Sequence, residues 1–266
     1  MTGAFDARLE TLRCVTAEVG AFALGHFHRL AQVAVETKGT ADYVSAVDRD
    51  AETLGRRLIR LAYPDDAIVG EEHAGEAAAD YWLIDPVDGT ANFLSGIPFW
   101  AVSIAYVRDG EPVLGAIALP ALDALFWSAI DRPLHGSGTL PQLPSRRPMA
   151  FGVGRNRVWK LEHRLQLEAR LEAQGFHITS LGSCAASLAM VAAGRLAGYI
   201  EHGTNLWDCA AGHVLCKTAG RSSTITFDEK GRVAVHATMA PLAQSATTTR
   251  RNLDGRHPVP ALRCVP

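Results

Sequence analysis

The feature that most limits how this chain can fold is the stretch "YWLIDPVDGTANF", residues 81–93. Four apolar residues, Tyr81 to Ile84, run without interruption into two aspartates, Asp85 and Asp88. A short apolar run bounded by turn residues reads as a buried strand. A strand ending in two carboxylates delivers them to a sheet edge, where open α/β proteins bind ligands. Pro86 is expected to stiffen a turn between the two acids. Gly89 permits a backbone conformation, or a close approach, that a side chain would block. Thr90 then stands at the start of a new turn whose free N–H groups can face an anion. Two carboxylates beside such a turn make sense once a cation joins them. A hard ion such as Mg²⁺ takes oxygen ligands and shares them with substrate phosphates.

On either side of this stretch the apolar spacing changes period. Leu9, Leu12, Val15, Val19, Phe22, Phe27 and Leu30 follow a helical repeat over residues 5–35. A polar break follows, with a turn or short strand over 40–46. A second helix carries Val47, Ala51, Leu54, Leu58 and Leu61 on one face, and Pro64 stops it. "AIVGEE", "AVSIAYV", "PVLGAIALP" and "ALFWSAI" read as strands, the last three split by the turn sequences "RDGEP" and "ALD". Residues 131–148 are rich in Pro, Gly, Ser and Arg. They mark the expected boundary between an N-terminal half, 1–135, and a C-terminal half, 148–240. The second half alternates strands ("MAFGVG", "FHITSL", "LAGYIEH", "SSTITF") with helices over 159–174, 184–194 and 207–219. Such alternation predicts an α/β fold with layered sheets. Residues 241–266 have weak periodicity and are expected to form a loose tail.

Composition narrows the partners. Apolar residues make up 48% of the 266, enough for a large core. A formal net charge of −2 gives no reason to expect nucleic acid or an anionic membrane. No apolar run approaches the length needed to span a bilayer, and no secretory pattern opens the chain. Five scattered cysteines without a Cys-x-x-Cys pair point to reduced thiols and a cytoplasmic setting rather than a zinc site.

Two further acidic motifs follow the same design. "GEEHAG" places Glu71 and Glu72 directly after an apolar strand, and "LWDCAAG" places Asp208 at the start of an apolar helix. Each has a bland reading alone: solvated surface for the glutamates, a helix N-cap for Asp208, turn residues for Asp85 and Asp88. His73 and His202 fit no metal spacing and read as surface residues. Trp82, Trp100 and Trp127 read as core.

Taken together, "GEE", "WLIDPVDGTANF" and "WDCAAG" resemble the inositol monophosphatase family, over about Lys38 to Gly220. The resemblance implies a layered α-β-α-β-α sandwich, shared with fructose-1,6-bisphosphatases. It implies a Mg²⁺-dependent, lithium-sensitive phosphatase that hydrolyses small phosphate monoesters with a metal-activated water. The implied ligands of two or three Mg²⁺ ions are Glu71, Asp85, Asp88, Asp208 and the Val87 carbonyl. Gly89 and Thr90 would hold the phosphate. Asp48 matches the acid that pairs with the motif threonine, and Asp48, Glu71 and Thr90 are the implied catalytic set. Lys38 matches a lysine on the loop covering the site, and Glu72 the second acid of "GEE". "LGSCAAS" sets Gly182, Ser183 and Cys184 against the organic part of the substrate. Glu201 matches an acid that accepts hydrogen bonds from polyol hydroxyls. Homodimers are common among such proteins.

The chain also departs from the family's pattern. Residues 131–148 lack the usual Asn-Gly hairpin, and the end of the chain lacks the usual closing segment. Inositol-1-phosphate or a similar polyol phosphate is the leading expectation. Histidinol phosphate and then 3'-phosphoadenosine 5'-phosphate are the alternatives, followed by a catalytically weak member that binds a protein partner.

Overall fold

A computed structural model describes residues 2–30, 35–39, 42–143 and 149–239, with side chains over 5–30, 46–143 and 149–239. Helix α1 (Thr2–Phe27), strands β1 (Val35–Gly39) and β2 (Asp42–Ser45), and helix α2 (Ala46–Ala62) open the chain. Strands β3 (Ala67–Gly70) and β4 (Asp80–Asp88) lead into the short helix α3 (Thr90–Leu94). An antiparallel run follows: β5 (Ala101–Arg108), β6 (Glu111–Leu119), β7 (Ala124–Ala129) and β8 (His135–Gly138). Then come β9 (Ala150–Val153), α4 (Leu161–Ala173), β10 (His177–Thr179), α5 (Cys184–Ala192) and β11 (Gly198–Thr204). Helix α6 (Leu206–Thr218) and the hairpin of β12 (Ser222–Phe227) and β13 (Val233–Thr238) complete the described fold.

The uninterrupted apolar run of β4 has a simple cause: both faces of its sheet are covered. Tyr81 and Leu83 enter one core, while Trp82 and Ile84 enter another, as the two-residue period of a strand requires. The first sheet has the order β3-β4-β5-β6-β7-β8, with β3 parallel to β4 and the rest antiparallel. Helices α1 and α2 cover its Trp82 face, bringing Leu12, Val19, Val47 and Ile59. Helices α5 and α6 cover its Leu83 face and also pack on Tyr199, Val233 and Val235 of a second sheet. That sheet has the order β10-β9-β11-β13-β12. Its far face carries α4, through Leu171 against Phe151, Val153 and Ile200. The result is the five-layer α-β-α-β-α sandwich. Gly115 lets α6 approach β6, since a side-chain carbon there would sit 2.6 Å from the Ala211 carbonyl oxygen.

Four details differ from the sequence reading. Helix α1 ends at Phe27 instead of running to residue 35, where β1 begins. Pro86 does not sit in a turn: β4 continues to Asp88, with a register shift between Asp85 and Asp88 against β5. Proline lacks an N–H to donate, so it is tolerated at such an irregularity. Residues 131–148 contain a strand, β8, which pairs with β7 even though all four of its residues are exposed. β13 was not anticipated from the sequence, although its buried Val233, Val235 and Ala237 alternate with less buried residues. The expected tail lies outside the described residues.

Candidate active site

Three segments deliver acids to one cleft. The end of β3 and the turn after it supply Glu71 and Glu72. The end of β4 supplies Asp85 and Asp88, and the first turn of α6 supplies Asp208. One carboxylate oxygen from each of Glu71, Asp85 and Asp208 lies within 4.8 Å of the others. Asp85 is buried; its Oδ1 accepts the Val87 N–H at 3.1 Å, and its Oδ2 is buried with no hydrogen-bond partner among the described residues. Asp208 is held through Oδ2, which accepts from the Thr204 hydroxyl and from the Asn205 N–H at 2.7 Å. This leaves its other oxygen for the cluster.

The electrostatics are unfavourable without a cation. Two like charges 4 Å apart repel by about 4 kcal/mol at an effective dielectric of about 20. Burial pushes the Asp85 carboxyl well above the usual range, and the charges of Glu71, Asp88 and Asp208 push it further. Asp88 rises to about 7, through burial and then the Asp208 charge, despite opposing hydrogen bonds from Ser183 and Ala185. Burial also raises Asp208 against the bonds from Thr204 and Asn205. An all-oxygen donor set with one orphaned buried carboxylate oxygen fits a hard divalent cation.

Asp88 is tied to the opposite wall. Its Oδ2 accepts from the Ser183 hydroxyl and from the Ala185 N–H at 2.6 Å. Ser183 also caps α5, its Oγ accepting the Ala186 N–H at 3.1 Å. Gly89 has φ 91°, and a side-chain carbon there would meet the Gly182 carbonyl oxygen at 3.0 Å. Glycine is needed here both for its backbone and for the contact between the two loops. The Thr90 hydroxyl has two acceptors, Asp48 Oδ1 at 3.1 Å and the Val87 carbonyl at 3.0 Å. One proton can serve only one of them at a time, and the oxygen keeps lone pairs for a water. Gly182, Ser183, Cys184 and Glu201 line the same cleft, whose volume is ≈ 1180 Å³. Glu201 accepts from the Tyr199 hydroxyl at 2.6 Å and from Asn156 Nδ2 at 2.9 Å. Burial raises its carboxyl all the same.

The model of the inositol monophosphatase family matches residues 7–254. The chain belongs to the inositol monophosphatase family. It is 37% identical over 206 residues to an inositol-1-monophosphatase of Mesorhizobium japonicum, covering 73% of this chain and 76% of that one. It is 62% identical over 257 residues to an uncharacterised protein of Sinorhizobium fredii, covering 97% and 94%. The crystal structure of the extragenic suppressor protein suhB of Bartonella henselae superposes with a TM-score of 0.77 at 28% identity, covering 87% of this chain and 94% of that chain.

Within this member of the family, the cleft gathers every candidate site residue named from the sequence except Lys38 and Asp48. The Lys38 side chain lies outside the described residues. Asp48 is buried behind Thr90. His202 is not a plain surface residue. Its ring stacks on Trp159 at 4.6 Å, and its Nε2 lies 2.7 Å from that of His236.

The sequence reading missed the support of the Glu71 turn. Glu52 is fully buried on α2 and accepts the Glu72 N–H at 2.6 Å, the His73 N–H at 3.3 Å and Arg56 Nε at 2.6 Å. Arg56 in turn donates to the carbonyls of Ile68 (3.0 Å) and Ala74. Positions 48, 52 and 56 lie on one face of a helix at successive four-residue steps, and that spacing was the available signal. Asn92, also missed, donates to the carbonyls of Phe99 (2.7 Å) and Leu181 (2.8 Å), pinning α3 to the loop before α5.

Proposed function

We propose that this protein is a Mg²⁺-dependent phosphatase of small phosphate monoesters, with inositol-1-phosphate or a similar polyol phosphate as the leading substrate. The supporting observation is the meeting of Glu71, Asp85 and Asp208, from three distant segments, within 4.8 Å beside the Gly89-Thr90 turn. Their oxygens, with those of Asp88 and the Val87 carbonyl, are the groups that would hold the metal. Mg²⁺ bound there supplies Lewis acidity and positive charge for activating water and steadying a leaving alkoxide. The chain's own part is positioning. Thr90, steered by Asp48, accepts a hydrogen bond from the attacking water and so aims it. Gly89 and the free N–H groups of the α3 turn receive phosphate oxygens. Ser183, through Asp88, fixes the far wall, and Glu201 is placed to accept from hydroxyls of the alcohol.

The test is phosphate release from inositol-1-phosphate, histidinol phosphate and 3'-phosphoadenosine 5'-phosphate, with and without Mg²⁺ and Li⁺. Mg²⁺-dependent, Li⁺-inhibited release from the polyol ester supports the proposal. Preference for either of the other two would move the substrate. Release from none would leave a family member that acts by binding alone.

A further inference from the structure

Outside the acidic cleft, the second sheet brings two histidines into contact. His202 on β11 and His236 on β13 are 34 positions apart along the chain. The antiparallel register sets His236 opposite Ile200, two places from His202. Side chains on such a diagonal leave the same face of a sheet and can meet. Here the two Nε2 atoms lie 2.7 Å apart. The face is the α4 side, since Ile200 joins the core under that helix. Glu201, between Ile200 and His202, points the other way, into the cleft. His202 is half-buried and stacks on Trp159, with ring centroids 4.6 Å apart and 11° between the planes. His236 is exposed.

Such a contact needs something shared between the rings. An imidazole nitrogen donates or accepts according to whether it carries a proton. Two neutral rings meet through Nε2 only if one holds its hydrogen there and the other holds it on Nδ1. A second proton would set two positive charges against each other. The surroundings favour neutral His202: burial lowers its pKa, and the charge of His163 on α4 lowers it further. Neutral imidazole is also the form that binds metal ions. A transition-metal ion can therefore take the place of the shared proton. Imidazoles bind Zn²⁺ at about 2.0–2.1 Å, so two on adjacent positions of one ion stand roughly 3 Å apart. The pair is already close to that spacing. His236 has to tilt so that both lone pairs converge, and its exposure leaves room for this. His202 is fixed beforehand. Asn156 Nδ2 bonds the His202 carbonyl at 2.8 Å and Glu201 at 2.9 Å, while its Oδ1 accepts the Trp159 N–H at 2.9 Å. Holding one ligand and its stacking partner in place lowers the ordering cost of chelation.

We infer that His202 and His236 form a transition-metal site, taking Cu²⁺, Ni²⁺ or Zn²⁺ through their Nε2 atoms, apart from the oxygen-lined acidic cluster. Imidazole suits these ions, whereas Mg²⁺ prefers oxygen and is not held there. Among the described residues no third histidine, cysteine or carboxylate joins the pair as closely as Glu71, Asp85 and Asp208 join one another. Water fills the remaining positions, so the ion is exchangeable.

The experiment uses the untagged full chain and Cu²⁺, whose electron paramagnetic resonance spectrum counts coordinated nitrogens. With Mg²⁺ in excess, one equivalent of Cu²⁺ should show hyperfine coupling to two imidazole nitrogens. The side chains of the acidic cluster offer only oxygen and give no such coupling. His236→Ala removes the exposed ligand. His202→Phe removes the other nitrogen but keeps a ring against Trp159. Losing a direct ligand costs at least what losing an outer-shell partner does, so each variant should bind Cu²⁺ at this site about tenfold or more weakly. Each should also lose the two-nitrogen signal, and Ni²⁺ and Zn²⁺ uptake in equilibrium dialysis should fall with it. A parent spectrum without nitrogen coupling overturns the site. So does a two-nitrogen signal that survives in either variant.

Discussion

Removing the Glu52 carboxylate gives the sharpest test of how the metal-binding turn is held. Glu52 is 0% exposed and accepts three bonds, from the Glu72 and His73 N–H groups and from Arg56. Glu52→Ala would leave two backbone donors and a nearly buried guanidinium without their acceptor. Breaking one side of a buried ion pair costs about 3–5 kcal/mol. For a chain of this size each kcal/mol lowers Tm by roughly 2–4 °C, so a fall of the order of 10 °C is expected. Glu52→Gln keeps the shape and one acceptor oxygen, and should lose less than half of that. The functional effect follows from position: Glu71 sits between two anchored N–H groups, its own bonded to the Ile84 carbonyl at 3.2 Å and that of Glu72 to Glu52. Loosening the second frees the Glu71 carboxylate, so the Mg²⁺ concentration for half-maximal activity should rise several-fold in Glu52→Gln, with kcat at saturating Mg²⁺ less affected. Gly70→Ala is an independent route to the same phenotype, since its added carbon would stand 2.2 Å from Glu52 Oε1. Differential scanning fluorimetry and a Mg²⁺ titration of phosphate release give both numbers. If Glu52→Ala melts within about 2 °C of the parent and the Mg²⁺ midpoint of Glu52→Gln is unchanged, the reasoning is wrong.

Other consequences follow from the same cluster. Asp85→Asn should raise Tm in EDTA, because it removes an acid whose charged form burial and the neighbouring carboxylates disfavour, and it should abolish both turnover and the Mg²⁺-induced Tm increase; an unchanged Mg²⁺ response would remove Asp85 from the ligand set. Metal-free protein should lose stability as pH rises. The folded value of Asp88 is about 7 against an ordinary 3.8, so its contribution is full below about pH 4 and disappears as pH passes 7. Tm in EDTA should therefore fall across that window and Mg²⁺ should restore more at pH 8 than at pH 5; a flat profile contradicts this. Ser183→Ala deletes both the α5 cap and a donor to Asp88; about 1 kcal/mol of stability should go with the cap, and kcat should drop while the Mg²⁺ midpoint moves little.

Much of the fold could be read directly from residue patterns. The buried strand of Tyr81–Ile84, helix α2 with its stop at Pro64, and the alternation after residue 149 all rest on local periodicity. β13 was missed because a six-residue strand following a charged turn gives little signal by itself; its partners, β11 and β12, define it. Within the site, Asp85, Asp88 and Glu71 stood out because acids ending apolar strands have little structural reason to be there. Glu52, Arg56, Asn92 and Asn156 did not stand out. They act by bonding backbone groups 12 to 89 positions away, and apart from the four-residue spacing of positions 48, 52 and 56 nothing in their neighbourhood along the chain marks that.

The amino-acid order alone settled most of the strands and helices, and which acids sit at their ends, since both follow from local spacing and turn chemistry. Only tertiary structure decided that Glu71, Asp85 and Asp208 converge within 4.8 Å. It also decided that Glu52 supports the turn that carries Glu71. Convergence depends on how two sheets stack through α5 and α6, and that stacking is set by packing between residues far apart in the chain.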